Sequence, residues 1–139
     1  MAPAVRHFEA SVALKPDSAA AHFNLGTALA QAGRLDDAIA AFRAALSRRA
    51  NYALAHNNLG QVLLAQGKTG DALTHLQRAV RLDPANPQAL FGLAEAYAAV
   101  GSFDLAIETI ERAIKLPMPE ALATRVIARR DEYLKRRPH

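Results

Sequence analysis

The sequence predicts an all-α chain of three stacked, antiparallel helix pairs with an extra helix at each end, and three observations carry that expectation. The first is an internal repeat. AAHFNLGTALAQAGRLDDAIAAFRAAL from Ala20, LAHNNLGQVLLAQGKTGDALTHLQRAV from Leu54 and QALFGLAEAYAAVGSFDLAIETIERAI from Gln88 align without a gap at a period of 34 residues. Leu25, Leu59 and Leu93 coincide, as do Ala38, Ala72 and Ala106, and Ala45, Ala79 and Ala113. A unit this short cannot bury an apolar face alone, so units must stack. The second observation is the spacing of apolar residues at three and four within each half unit, the pattern of an amphipathic helix. The third is the glycine at the middle of each unit, Gly33, Gly67 and Gly101, a residue that ends a helix cheaply by taking positive φ.

The elements follow in chain order. Residues 3–15 continue the register backwards, since Ala4 and Phe8 lie one period before Ala38 and Phe42 and Pro16 falls where a unit closes. This segment reads as the second helix of a unit whose first helix is missing, so that either the chain is a piece of a longer array, the favoured reading, or this stretch caps the stack. Paired helices are expected at 19–32 and 35–48, 53–66 and 69–82, and 87–100 and 103–116. Asn51 reads as an N-cap, and Asn86-Pro87 as an N-cap followed by proline at the first helical position. Asp36 and Asp37 fall in a first turn, where carboxylates meet the positive end of the helix dipole and act as caps rather than as acid-base catalysts. Gly26, Gly60, Ala38, Ala72 and Ala106 are small enough to lie where the helices of a pair cross. A last helix over 119–136 is expected to turn Ala121, Leu122, Val126 and Ile127 to the stack while Arg129, Arg130, Lys135, Arg136 and Arg137 stay in water. The organisation is therefore a half unit at 1–18, units at 19–52, 53–86 and 87–118, and a basic capping helix at 119–139.

His22, Leu25, Gly26, Leu29, Ala38, Phe42 and Ala45, with their equivalents one and two periods on and the closing Pro84, resemble the pattern of the tetratricopeptide repeat. The chain departs from it in lacking Trp, in Ala50 at a closing position and in Met118 between two prolines. The resemblance implies a right-handed superhelical stack, an α-solenoid, whose first helices line a concave groove. It implies no enzyme, no catalytic residue and no cofactor, but a scaffold that holds an extended or short helical peptide of a partner protein. The residues it places along the groove are Phe23, Asn24, Thr27, Asn57, Asn58, Gln61, Phe91 and Glu95, with Arg125 and Arg129 adding positive charge one register further on. Asn24 and Asn58 share a repeat position, and an amide offers both donor and acceptor to a peptide backbone; Gly92 breaks this ladder in the third unit. The AHxNLG wording is also similar to the repeats of O-linked N-acetylglucosamine transferases and related bacterial arrays. The arrangement that clamps chaperone tails is not matched, because Phe23, Thr27, Gln88 and Gly92 stand at its basic and amide positions and Asn58 alone agrees.

Composition narrows the function classes. Without cysteine there is no disulfide framework, thiolate metal site or cysteine nucleophile. Five histidines raise a metal site, but His7, His75 and His139 show no ligand spacing, and His22 and His56 share a repeat position that suits packing. GKTG lacks the upstream glycine and strand of a nucleotide loop. Of the net charge of +4, three units belong to residues 119–139, so there is no broad basic face for nucleic acid. No apolar run is long enough to insert in a membrane and the N-terminus lacks a signal-peptide pattern, so the chain as given reads as soluble, with its compartment open and the cytoplasm favoured. Two further readings stand beside the scaffold: the C-terminal, substrate-recruiting segment of a larger enzyme such as a glycosyltransferase, and a module that self-associates through the ends of its stack.

Overall fold

The computed structural model describes residues 2–138, so that Met1 and His139 lie outside it. Among the described residues there are eight helices and no strand: α1 (Ala2–Leu14), α2 (Ala19–Gln31), α3 (Leu35–Arg48), α4 (Ala53–Ala65), α5 (Thr69–Leu82), α6 (Pro87–Ala99), α7 (Phe103–Ile114) and α8 (Glu120–Arg136). The expected boundaries hold to within two residues. The densest packing is within the pairs α2–α3, α4–α5 and α6–α7, and each pair also touches the next. One apolar core runs through the stack from Val5 of α1 to Tyr133 of α8, with Phe42, Leu59, Leu63, Leu76, Leu90, Ile110 and Val126 fully enclosed.

The glycines divide by physical role. Gly33, Gly67 and Gly101 have φ of 81°, 79° and 82° and open space where a Cβ would stand, so their requirement is one of backbone conformation. Gly26 and Gly60 are helical, and their requirement is space. A Cβ on Gly26 would lie 2.7 Å from the Phe42 ring, and one on Gly60 would lie 2.6 Å from Leu76 Cγ. The crossing within each pair is thus a small residue against a large one. Ala94 and Ile110, both fully buried, occupy the same places in the third pair.

Helix ends and loops are tied by side chains. Ser18 Oγ accepts from the Ala21 N–H at 3.1 Å, and Asn86 Oδ1 from the N–H groups of Gln88 and Ala89 at 3.0 and 3.4 Å, as N-caps do. Asn51 is not a cap. The N-cap of α4 is Tyr52, whose ring packs on Phe23, and Asn51 Oδ1 instead accepts from Arg78 Nη2 at 2.8 Å, tying the loop to α5. Nor does either aspartate make a capping hydrogen bond at α3; Asp37 pairs with Arg34 at 3.0 Å and Asp36 accepts from Gln66 Nε2 at 2.8 Å. His22 and His56 act alike: each donates Nε2–H six residues back, to the Pro16 carbonyl at 2.8 Å and the Ala50 carbonyl at 2.9 Å. His56 Nδ1 also lies 3.1 Å from Nδ1 of His75, joining α4 to α5.

The last helix corrects one expectation. Leu122, Val126 and Tyr133 face the core, whereas Ala121 is exposed and Ile127 is 43% exposed. Helices α2, α4 and α6 begin 34 residues apart, but α8 begins at Glu120, 33 after Pro87. One residue is about 100° of helix rotation, so α8 presents a neighbouring stripe. Arg129 and Arg130 are half-buried by the same rotation rather than left in water.

Two glycine substitutions test this packing in thermal or urea denaturation. Gly60→Leu overpacks the α4–α5 crossing and is expected to cost about 1–3 kcal/mol or more. Gly70 lies in α5 with no positive φ and no atom within 4 Å of its missing Cβ, so Gly70→Ala is expected to stabilise by about 0.5–1 kcal/mol. A parental melting temperature for the first, or a loss for the second, contradicts the packing described.

Burial holds the His75 imidazole below its ordinary value of 6.5, aided by the charges of His56 and Arg43 and opposed by Asp71. The unfolded chain therefore takes up a proton on this residue at a higher pH than the folded one. Its contribution is present above 6.5 and is lost as pH falls from there toward the lowered folded value. In a chloride buffer the melting temperature should fall across that window, and fall less in His75→Ala; equal slopes in the two proteins would remove His75 from the account.

Candidate peptide groove

The first helices of the pairs, α2, α4 and α6, lie side by side, so residues one period apart form rows across them. In the row of Asn24, Asn58 and Gly92, the Asn24 side chain is exposed and makes no hydrogen bond among the described residues. Asn58 is half-buried and occupied: its Nδ2 donates to Thr27 Oγ1 at 3.4 Å and its Oδ1 accepts from Asn57 Nδ2 at 3.3 Å. The chain continues at both ends. Gln61 Nε2 donates to Asn57 Oδ1 at 3.0 Å, and Thr27 Oγ1 donates to the Phe23 carbonyl at 3.1 Å. Four polar side chains on α2 and α4 thereby satisfy one another, which is how Asn57 tolerates 5% exposure. Gly92 breaks the ladder for a reason of space, since a Cβ there would lie 3.1 Å from Leu76 Cδ2 and 3.5 Å from Gln61 Nε2.

Two aromatic residues of the expected set are part of the packing beneath. Phe23 packs between Phe42 of α3 and Tyr52 at the start of α4, with tilted rings whose centroids lie 5.9 and 5.1 Å away. Phe91 is only 4% exposed, and the guanidinium groups of Arg125 and Arg129 lie over its ring at 5.1 and 5.9 Å. Arg129 also pairs with Glu95 at 3.2 Å, joining α8 to α6.

The structure thus gathers Thr27, Asn57, Asn58 and Gln61 into one group and Phe91, Glu95, Arg125 and Arg129 into another, with Asn24 separate from both. Tyr133 and Arg136, which repeat register does not single out, line a cleft of about 230 Å³ with Glu95, Arg129 and Glu132. Burial, reinforced by the Glu95 charge, raises the Tyr133 hydroxyl far above its usual range, so it stays protonated. The signal for Tyr133 was its apolar spacing from Leu122 and Val126, legible only once the start of α8 is known. Among the described residues no three of His, Asp and Glu converge to hold a metal, and no helix is long and apolar enough to cross a membrane.

Comparison with known proteins agrees with the geometry. Two family models, each described as tetratricopeptide repeat, match residues 17–85 and 57–121, together spanning 17–121. No curated protein matches in sequence. Among solved structures, a crystal structure of MamA superposes with a TM-score of 0.76 at 20% identity, covering 95% of this chain and 85% of that one. Another, of MamA protein, gives 0.75 at 24% identity, covering 95% and 76%. The 34-residue period, the small-against-large crossings and both family matches make this chain a member of the tetratricopeptide repeat family, whose stacked helix pairs serve as scaffolds for protein interaction.

Proposed function

We propose that the chain holds an extended or short helical peptide of a partner protein along the faces of α2, α4 and α6. The observation that carries this reading is the polar row on an otherwise Ala- and Leu-rich surface. Asparagine is a mediocre helix former, yet Asn24 stands exposed with its amide unused, and Asn58 keeps one N–H and one lone pair beyond its internal bonds. Two amides one repeat apart suit the repeating donors and acceptors of a peptide backbone, whatever its side chains. The similarity of AHFNLG and AHNNLG to arrays that grip peptides through such a ladder supports the same reading. Arg125, exposed over Phe91, adds charge at the α8 end. Asn57, Phe23 and Phe91 serve this surface from below, by fixing the side chains that peptide touches. Affinity is modest, because three units offer few anchors.

A pull-down with the folded chain, followed by peptide mapping, supplies the ligand for the test. Asn24→Ala alone is expected to weaken binding roughly 2- to 10-fold, and Asn24→Ala with Asn58→Ala roughly 5- to 100-fold, by calorimetry or fluorescence titration. Arg136→Ala with Arg137→Ala should do much less, and less still in high salt. Normal binding by the double asparagine variant, with loss in the arginine variant, would replace the groove by docking on the basic helix.

A further inference from the structure

A second polar cluster, separate from the row of Asn24 and Asn58, lies between α4 and α5. His56, Thr74, His75, Gln77, Arg78 and Arg81 line a cavity of about 260 Å³, with no carboxylate among them. The repeat shows that the fold does not require this set. At the position of His75 the first and third units carry Ala41 and Thr109, at that of Arg78 they carry Ala44 and Arg112, and at that of Thr74 they carry Ala40 and Glu108. The second unit alone places an imidazole pair beside two guanidinium groups.

We infer that this cavity is a binding site for a doubly charged tetrahedral oxyanion of the phosphate type. Its parts are prepositioned. Arg78 is held by Asn51 Oδ1 at 2.8 Å, and Gln77 by the Tyr97 hydroxyl of α6 at 3.2 Å. The Ala50 carbonyl accepts Nε2–H of His56, so the neutral ring has its lone pair on Nδ1 and takes Nδ1–H of His75. His75 is then left with a lone pair on Nε2, a poor neighbour for an anion. Taking up one proton cures this: His75 keeps its bond to His56 and gains Nε2–H as a donor, in a cavity that Arg78 and Arg81 also line. The protein by itself resists that proton, because burial, His56 and Arg43 of α3 disfavour charge on His75 and Asp71 favours it. An anion reverses the balance, so anion and proton bind together, each strengthening the other.

Sulfate is the probe, because it keeps its double charge over the range used and any pH dependence belongs to the protein. The histidine ring signals of the full chain are followed by NMR as sulfate replaces chloride at constant ionic strength, at about pH 6 and about pH 7.5. Sulfate is expected to move the His56 and His75 signals, to raise the titration midpoint of His75, and to bind about threefold or more tightly at the lower pH. His75→Ala, which installs the residue the first unit carries there, and Arg81→Ala should each lose most of the binding while keeping the helical circular dichroism of the parent. If sulfate moves neither signal, or if both variants bind it as the parent does, the site does not exist. A parallel titration with inorganic phosphate and with O-phosphoserine separates a free anion from a phosphomonoester: tighter binding of either one supports the site and identifies the form it takes.

Discussion

Every pair in this stack depends on one contact, a large side chain of the second helix pressed into a gap on the first. Phe42 fits at Gly26 and Leu76 at Gly60, each so closely that a single added carbon would lie under 3 Å from its partner. Interiors packed to this density do not absorb extra atoms without moving backbone. The contact fixes how near the helices of a pair approach, and the turn glycines fix how they reverse. Because the same two devices recur every 34 residues, the pairs repeat and the stack grows by nearest-neighbour contacts.

The polar row is a consequence of that stacking. When α2, α4 and α6 line up, residues one period apart come into rows, and a polar residue on one helix meets the next helix rather than only solvent. Thr27 of α2 and Asn58 of α4 are joined this way, although they are 31 residues apart. Asn24 and Asn58, identical in repeat position, therefore differ in state. Asn58 has Thr27 of the preceding pair to bond, whereas α2 meets only α1 on that side. The helix geometry is repeated, while the hydrogen bonding is set by what each neighbour offers.

Departures from the repeat change the surface and the packing locally. His75 replaces residues that are small and covered in the other units, Ala41 and Thr109 at 7% and 5% exposure, and it lines a polar cavity where they pack. The shortened interval before α8 has a comparable effect. It turns Tyr133 inward against Phe103 and leaves Ile127 outward, so this helix closes the core with a different stripe from the one α6 uses.

The sequence by itself determined the all-helical class, the period, the pairing of helices and nearly all their boundaries, because those follow from local rules: apolar spacing, a glycine able to take positive φ, and a small residue opposite a large one. It also singled out the row of Asn24 and Asn58, since register alone places equivalent residues on equivalent faces. Only the tertiary structure decided which members of the candidate groove are free. Asn57 and Phe91 are buried, Asn58 is engaged and Asn24 is open, differences that arise from contacts between helices roughly 30 residues apart in the chain. It alone decided the rotation of α8 as well, because the Pro117-Met118-Pro119 link leaves the starting residue of that helix open by one. And it alone brought His75 to His56, 19 residues away on the partner helix, where no spacing motif connects them and only the crossing of α4 and α5 does.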